Sequence, residues 1–263
     1  MKEPFKTWNE AIEPQNKAAM ARAKARWDGV AKPLDGLGKL ETAIIRIAGC
    51  TGSEAVSIDK RTVVVLCADN GIVKEGVTQT DASVTATMAK RISEHRSSVC
   101  LMAGTARADV LAVDLGMNAR VEGVRDLSIA SGTQNMAEGP AMTEAQAMKA
   151  IENGVLLAKE RAAAGDRILV TGEMGIGNTS TSSAIAAVLL DLPVETVTGR
   201  GAGLSDEGLK RKRAAIRRAI EVNRPDPADA FDVLYKLGGF DLAGMVGLYI
   251  GAAMYHVPIL IDG

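Results

Sequence analysis

Thr62-Val63-Val64-Val65-Leu66-Cys67-Ala68 is a short, β-branched run with almost no polar side chain. Such a run is typical of a strand that is covered on both faces, as the strands of parallel sheets are. Comparable runs recur at residues 110–113, 168–170 and 257–261, and longer helical segments lie between them. Strands separated by helices imply right-handed crossovers. The pattern therefore predicts an α/β fold with a doubly wound, mostly parallel, Rossmann-like sheet.

The residues before this run show a different pattern. They are polar and helical, with predicted helices at 17–27 and 39–48, and they contain no strand-like run. We therefore predict a small helical N-terminal subdomain at residues 1–58 and an α/β domain at residues 59–263.

Three further helix starts are indicated by their capping residues. Thr143 with Gln146 fits a capping box, and Ser205 precedes two acidic residues of a first helical turn. Asp226 precedes a proline that suits the first helical position. These signals predict helices that begin directly after Thr143, Ser205 and Asp226.

The charge and cysteine content argue against several classes of protein. Lys plus Arg number 31 and Asp plus Glu number 32, so no global field attracts a polyanion and nucleic acid is not an expected partner. The basic stretch at 210–218 is more typical of a solvated helix face than of a binding patch. Three cysteines without CxxC spacing favour neither a disulfide framework nor a zinc site.

We expect a cytoplasmic protein without a membrane span. The first residues lack the apolar run of a signal peptide. The only long apolar stretch, residues 240–261, contains Asp241 and three glycines and is divided by Pro258. Because a span needs an uninterrupted apolar run, this stretch instead predicts a buried helix followed by a buried strand.

The loop at residues 171–181 is the most informative candidate binding site. It follows a predicted strand, holds three glycines and leads into an alanine-rich helix. Such glycines and the free N–H groups of a helix start suit a phosphate, although a tight turn alone would also explain the glycines. The loop matches neither a P-loop nor a dinucleotide-binding motif. Glu173 would repel a phosphate, so we expect it to face a ribose hydroxyl or a heterocycle, or else to cap the loop N–H groups.

Further polar segments extend this candidate site. A second glycine cluster at 198–204 precedes a helix, and Lys212 lies about two turns into that helix. Two successive glycine-rich helix starts suggest a split site for phosphate and sugar. Polar loops at 69–78 and 131–143 are compatible with substrate binding or with plain turns. Neither histidine of the chain lies in these loops, so a histidine base is not expected.

Residues 172–179 (GEMGIGNT) belong to an ordered set of distinctive segments. The others are 32–41 (KPLDGLGKLE), 68–72 (ADNGI), 132–136 (GTQNM), 139–143 (GPAMT), 199–203 (GRGAG), 238–241 (GGFD) and 261–263 (IDG). In this order they resemble the motifs of the nicotinate-nucleotide:dimethylbenzimidazole phosphoribosyltransferase family, and 172–179 is the most specific of them.

The resemblance implies a reaction, its substrates and a set of binding residues. The reaction would move 5-phosphoribose from nicotinate mononucleotide to a nitrogen of 5,6-dimethylbenzimidazole or a related aromatic base in cobamide synthesis, without a metal or cofactor. The protein would be a homodimer or a heterodimer with a paralogue. Residues 59–263 would form a nucleotide-binding domain whose ligand contacts, carried over by position, are Glu173, Met174, Gly175, Ile176, Gly177, Asn178, Thr179, Gly201 and Lys212.

Departures from the family pattern concern the acceptor and the base. The expected acceptor pocket consists of Asp69, Asn70, Thr78, Thr80, Ala82 and Ser83. Asn70 stands where the family has histidine, and Thr80 and Ala82 replace an aromatic residue and a glutamine, so a phenol or a purine could be the acceptor. The general-base glutamate of the family lies beyond the segment matched by Asp262 and Gly263. No residue of this chain matches it, and the catalytic residue stays unassigned.

Two functions are compatible with these expectations. The first is a phosphoribosyltransferase without the C-terminal segment of its relatives. The second is a non-catalytic, nucleotide-binding subunit that pairs with a catalytic paralogue. Both would bind nicotinate mononucleotide, whereas only the first would release nicotinate by itself.

Overall fold

Five parallel strands form one sheet in the computed structural model, which describes residues 3–263. They are β1 (Arg61–Ala68), β2 (Asp109–Gly116), β3 (Arg125–Asp126), β4 (Ile168–Met174) and β5 (Ile259–Leu260). Their order across the sheet is β3-β2-β1-β4-β5. The chain winds outward from β1 in one direction and then returns through β4 in the other, so the predicted doubly wound α/β fold is confirmed.

Helices cover both faces of this sheet. The α-helices of the described residues are α1 (Glu3–Ala11), α2 (Lys17–Asp28), α3 (Lys39–Thr51), α4 (Ser83–Ser93), α5 (Ser98–Thr105), α6 (Glu144–Ala163), α7 (Asn178–Leu189), α8 (Val194–Val197), α9 (Asp206–Asn223), α10 (Ala230–Leu237) and α11 (Phe240–Met254). A short 3-10 helix, η1, spans Gly71–Glu75. None of the helices in residues 3–263 is long and apolar enough to cross a membrane.

Alternate residues of β1 face two separate hydrophobic cores. Val64 and Leu66 pack into the larger core with residues of α6 and α11. Val65 and Cys67 point to the opposite face and pack with residues of α4 and α5. All four side chains are at most 4% exposed. Coverage on both faces is the physical reason why the β1 run is apolar throughout.

Helix α11 packs on α6 almost backbone to backbone. A Cβ atom added at Gly154 of α6 would lie 2.6 Å from the backbone nitrogen of Leu248. A Cβ atom at Gly247 of α11 would lie 2.7 Å from the carbonyl carbon of Ile151. Both distances are well below van der Waals contact, so only glycine fits at these positions. The close contact holds α11 in place against the sheet.

The N-terminal helices contact the molecule in two ways. Helices α2 and α3 pack mainly on each other and correspond to the predicted helices at 17–27 and 39–48, which are confirmed. Helix α1 instead packs on the α/β part, where the Phe5 ring meets the Phe231 ring edge-on at 5.5 Å. A subdomain division after residue 58 stays a prediction.

Two of the predicted helix starts are confirmed and one is wrong. Thr143 and Gln146 form a capping box at the start of α6, and Ser205 caps α9. Helix α10, however, begins at Ala230, and its N-cap is Asp229, which accepts hydrogen bonds from two backbone N–H groups of the first turn. Asp226 lies in the preceding turn and accepts a hydrogen bond from the nitrogen of Ala228. The proline after Asp226 therefore serves a turn instead of a helix start.

The strand predictions differ from the structure at the sheet edges. The buried helix predicted within 240–261 is confirmed as α11, but the strand after it is not buried, since Leu260 is 56% exposed. In the described chain β5 pairs with β4 alone, so one edge stays open. Strand β3 was not predicted, because its two residues, Arg125 and Asp126, show no apolar pattern.

Apart from the buried Lys212, the basic residues at 210–218 lie on the outer face of α9, and several of them have partners on neighbouring segments. Arg217 pairs with Glu195 of α8, and Arg218 pairs with Glu75 of η1 at 2.6 Å. Arg211 donates to the carbonyl oxygen of Gly76 at 3.4 Å. This face is thus more than the solvated surface that was expected, because it anchors the η1 loop beside the candidate site.

Candidate active site

The candidate site lies at the carboxyl ends of β1 and β4. From these adjacent strands the chain continues to opposite sides of the sheet, and ligands of doubly wound sheets bind at such switch points. Two cavities flank the segment 173–179 there. We name them the lysine cavity, after Lys212, which hydrogen-bonds the lining residue Thr179, and the glutamate cavity, after Glu173, which lines it.

The lysine cavity has a volume of about 100 Å³. Its walls are the β4–α7 loop, the segment after η1 and the glycine-rich segment before α9. The lining residues are Val77, Thr78, Gln79, Thr80, Gly175, Ile176, Gly177, Asn178, Thr179, Arg200, Gly201, Ala202 and Leu204. The Gln79 amide donates a hydrogen bond to the carbonyl oxygen of Gly203, which joins two of these walls.

Lys212 brings a buried positive charge to this cavity. The residue is 1% exposed, and its Nζ donates a hydrogen bond of 2.7 Å to Oγ1 of Thr179. A Cβ atom at Gly201 would lie only 3.6 Å from Nζ, so the ammonium faces the glycine-rich wall. No carboxylate of the described residues pairs with it, and burial lowers its pKa. A buried cation with one neutral partner has the chemistry that suits an anionic ligand.

The start of α7 adds a second feature that favours an anion. Its N-cap, Gly177, has a φ of 98° and offers no side chain to the helix N-terminus. A Cβ atom there would also lie 3.0 Å from Val73, so both the backbone conformation and the available space require glycine. The positive end of the α7 dipole therefore borders the lysine cavity without a side-chain cap, while the N–H groups of Asn178 and Ser180 are bonded to the carbonyl oxygens of Gly175 and Gly177.

Two carboxylates, the buried Asp241 and the half-buried Glu173, lie on the other side of the same helix start. The Asn178 Nδ2 atom donates to Oε2 of Glu173 and also, at 3.2 Å, to Oδ2 of Asp241. Asp241 is 0% exposed. Burial, and then repulsion from Glu173, raise the pKa of Asp241 to about 6. Burial also raises the pKa of Glu173, with Asp262 adding repulsion and Asn178 opposing both. We call these three residues the carboxylate cluster: Glu173, Asn178 and Asp241.

The glutamate cavity opens beside Glu173 and has a volume of about 260 Å³. Its lining is apolar except near the carboxyl groups and a pair of serines: Val65, Met88, Ile92, Ser97, Ser98, Val99, Gly172, Glu173, Met174, Asp262 and Gly263. A flat, largely apolar molecule with N–H groups suits such a space, because the carboxylates can accept its hydrogen bonds.

The structure divides the predicted nucleotide contacts between the two cavities. Gly175, Ile176, Gly177, Asn178, Thr179 and Gly201 line the lysine cavity. Lys212 reaches that cavity through Thr179. Glu173 and Met174 line the glutamate cavity. All nine predicted residues therefore lie around one short segment.

The predicted acceptor residues are more dispersed. Thr78 and Thr80 line the lysine cavity. Asp69 and Asn70 are 2% and 3% exposed and lie beneath it. Oδ2 of Asp69 accepts a 2.7 Å hydrogen bond from the nitrogen of Asn118, while burial raises its pKa. At the start of α4, Ala82 and Ser83 belong to neither lining; Ser83 hydrogen-bonds Asp81 instead.

The polar loop 131–143 supports the site without lining either cavity. Thr133 Oγ1 accepts a 3.0 Å hydrogen bond from the nitrogen of Gly71, and the Asn135 amide donates to Glu75 at 2.6 Å. Both contacts hold the segment that includes η1. Of the two interpretations of this loop, the structure favours an architectural one.

Sequence reasoning missed Asp241, Arg200 and Gln79. Asp241 enters the sequence-based prediction only as part of the GGFD segment and as a polar interruption of the apolar stretch 240–261, yet a carboxyl group in the first turn of an otherwise apolar helix is a usable signal. Arg200 is bound to Asp206 and to the carbonyl oxygen of Leu204, so it shapes the cavity wall. No pattern in the sequence indicated that Gln79 would reach the loop at Gly203.

Comparison with known proteins gives consistent matches over nearly the whole chain. A family model described as phosphoribosyltransferase matches residues 12–263. The nicotinate-nucleotide–dimethylbenzimidazole phosphoribosyltransferase of Acetivibrio thermocellus is 44% identical over 249 residues, which cover 94% of this chain and 71% of the relative. The enzyme of the same name from Ruminiclostridium cellulolyticum is 41% identical over 262 residues, covering 98% of this chain and 74% of that protein.

A solved structure agrees with these sequence matches. The crystal structure of CobT from Thermus thermophilus superposes with a TM-score of 0.87 at 35% identity, covering 94% of this chain and 74% of that one. The two structures thus share their fold over nearly the whole of this chain. The chain belongs to the nicotinate-nucleotide–dimethylbenzimidazole phosphoribosyltransferase family.

Proposed function

We propose that this chain transfers the 5-phosphoribosyl group of nicotinate mononucleotide to a nitrogen of 5,6-dimethylbenzimidazole or a related aromatic base in cobamide synthesis. The bond between the ribose anomeric carbon and the nicotinate nitrogen breaks, a new bond to the base nitrogen forms, and the base loses one proton. The observation that carries the proposal is the buried Lys212, which has no carboxylate partner in the described chain and faces an open helix N-terminus.

The donor phosphate binds in the lysine cavity. Lys212 and Thr179 supply donors from one side, and the α7 N-terminus with Gly175 and Gly177 supplies backbone from the other. A volume of about 100 Å³ suits a phosphate better than a whole nucleotide. The rest of the donor then extends along Ile176 and Asn178 towards Glu173.

The acceptor ring binds on the glutamate side of the segment. Met88 and Val65 offer apolar contact, while Glu173 and Asp262 lie at one end of the cavity. Thr78 and Thr80, which were expected in the acceptor pocket, line the lysine cavity and so lie on the phosphate side of this arrangement. A phenolic acceptor fits the same space, since its hydroxyl group can donate to Glu173.

Chemically, such a site acts mainly by alignment. The nicotinate ring of the donor carries positive charge, so it leaves readily once the incoming nitrogen is held in line with the bond that breaks. Carboxylates near the reacting rings stabilise the positive charge that develops at the ribose anomeric carbon as the bond to nicotinate breaks. We assign no general base among the residues of this chain.

The alternative of a non-catalytic nucleotide-binding subunit has no observation that favours it over the transferase. Both proposals require the lysine cavity, but only the transferase requires the second cavity and its carboxylates. The expected homodimer, or heterodimer with a paralogue, stays a prediction.

A direct assay tests the proposed function. Purified protein is incubated with nicotinate mononucleotide and dimethylbenzimidazole, and free nicotinate and the ribosylated base are quantified by liquid chromatography with mass spectrometry. We expect the two products in equal amounts, and the same with a phenol as acceptor if the acceptor pocket is permissive. Nucleotide binding by calorimetry without any nicotinate release would instead favour the non-catalytic subunit.

A further inference from the structure

We propose that Asp241 is a positioning residue of the transferase site, because its carboxylate holds Asn178 and thereby sets the orientation of Glu173 between the two cavities. This inference rests on the proposed function. Asp241 does not line either cavity, so it acts through its neighbours and not on the ligand.

The hydrogen bonds of Asp241 leave its carboxylate no freedom to turn. Oδ1 accepts from the backbone nitrogen of Leu242 at 3.0 Å, and Oδ2 accepts from the Asn178 amide at 3.2 Å. An asparagine at this position could satisfy only one of these donors, because its NH2 group would face the other. The structure thus requires an acceptor on both sides of residue 241.

Asn178 transmits the position of Asp241 to Glu173. Its Nδ2 has two hydrogens, and each points to one of the two carboxylates. Its backbone nitrogen is held separately by the carbonyl oxygen of Gly175 at 3.1 Å. Loss of the Asp241 bond would free the Asn178 amide to rotate, and Glu173 would lose its fixed partner.

The surrounding glycines show that space is reserved for this cluster. A Cβ atom at Gly175 would lie 2.6 Å from Oδ2 of Asp241 and 2.8 Å from Nδ2 of Asn70. One at Gly239 would collide with Oδ1 of both Asn70 and Asp241. These glycines are therefore required by the buried polar groups beside them, whatever they contribute to a phosphate cradle.

The two carboxylates of the cluster are unfavourable for the stability of the fold, so a purely structural role does not explain their presence. Asp241 has no cationic partner in the described chain, and Glu173 from β4 repels it. Cys67 of β1 points to the opposite face of the sheet and offers Asp241 no charge partner, because burial and nearby carboxylates including Asp241 raise the pKa of its thiol to about 12. Asn70 lies beside Asp241, but no well-aligned hydrogen bond joins the two side chains. The Asn70 amide lowers the pKa of the Asp241 carboxyl and offsets only part of the rise caused by burial and by Glu173. A hydrophobic residue would fill the same space without this penalty.

Steady-state kinetics of Asp241→Asn test the proposal. We expect kcat to fall by about tenfold to a hundredfold, since small misplacements of reacting groups cost that much. KM for nicotinate mononucleotide should change little, because Lys212 and the α7 N-terminus still hold the phosphate. Asp229→Asn is the matched control. It changes another helix-start aspartate, which caps α10 away from both cavities, and should leave the kinetics unchanged.

The pH dependence of kcat distinguishes a positioning role of Asp241 from a role in folding alone. In the parent, kcat should fall as pH drops through about 6, where Asp241 takes up a proton, and Asp241→Asn should lack this limb. Glu173→Gln removes the repulsion between Glu173 and Asp241, so the fall in kcat should occur at lower pH. This variant tests the proposal even if Asp241→Asn does not fold.

The proposal would be overturned if kcat of Glu173→Gln fell at the same pH as in the parent, or if Asp241→Asn had the kcat and pH profile of the parent. A parent that releases no nicotinate rejects the proposed function instead. Calorimetry with nicotinate mononucleotide then tests the cluster through the pH dependence of binding in the same variants.

Discussion

The lysine cavity and the carboxylate cluster bury opposite charges on two sides of one helix start. Thr179 faces Lys212, whereas the preceding residue, Asn178, faces Glu173 and Asp241. Successive residues of a helix point about 100° apart, so a single step along α7 separates the two regions. Neither region neutralises the other. A ligand with an anionic group at one end and a positively charged ring at the other supplies what both lack, and nicotinate mononucleotide has this form.

The strongest test of this comparison removes the positive charge. We expect Lys212→Met to weaken binding of nicotinate mononucleotide by about 3 kcal/mol, or roughly a hundredfold in Kd, because a buried charge pair with the phosphate is lost. Isothermal titration calorimetry measures the change. Lys210→Met on the exposed side of the same helix is the control and should bind like the parent. Equal affinity in all three proteins would remove Lys212 from the donor site.

A smaller effect is expected when only the carboxylate cluster is disturbed, by moving helix α11 and with it Asp241. Gly154→Ala places a methyl group against the backbone of α11 and should destabilise the fold by about 1–3 kcal/mol. The shift of α11 should lower kcat through Asp241, while nucleotide binding through Lys212 on α9 persists. Gly104→Ala in α5 is the control, since a Cβ atom there meets nothing within 4 Å. Thermal unfolding and kinetics of both variants decide the matter, and a parent-like melting temperature for Gly154→Ala would contradict the packing argument.

The smallest effect concerns the stability of the fold as a function of pH. Burial raises the pKa of Glu173 in the folded protein, so the folded state binds this proton more tightly than the unfolded state does. The resulting contribution to stability is fully present below the ordinary pKa of 4.5 and is lost as pH rises through the folded-state pKa. Glu173→Gln should therefore melt higher than the parent at neutral pH, by about 2–4 °C for roughly 1 kcal/mol in a chain of this size. The difference should vanish in acid. A variant that melts lower than the parent at neutral pH would show that the Glu173 charge is compensated.

The sheet could be predicted from the sequence because its central strands are covered on both faces. That environment demands the continuous apolar run of β1, which is visible without a structure. The same reasoning fails at the edges. The two residues of β3 join the sheet through pairing with Val113 and Asp114, and no local pattern records this contact. Capping was predictable where a side chain meets its own helix, as at Thr143, but Asp226 and Asp229 compete for a helix start within one turn.

The candidate site was predictable as a set of loops but not as two charged regions. Glycines after a strand indicate close backbone approach, and they located the segment 173–179. Asp241 lies 63 positions beyond Asn178 in the chain, and only the packing of α11 brings the two side chains together. The acceptor side shows the opposite limit. Thr80 lines the lysine cavity, whereas Ser83, three residues later, is the first residue of α4 and lines neither cavity.

The two walls of the lysine cavity differ in how firmly they are held, and the hydrogen bond between Gln79 and Gly203 belongs to the less firmly held one. One wall is part of the sheet and of helices fixed by glycine contacts, whereas the opposite loops are joined by a bond between exposed groups. Such a bond contributes only about 0.5–1.5 kcal/mol, so thermal motion breaks it in a substantial minority of molecules at any moment. The loop wall is therefore easier to displace than the wall formed by the sheet. The size of the lysine cavity depends on one exposed hydrogen bond, whereas the position of Lys212 does not.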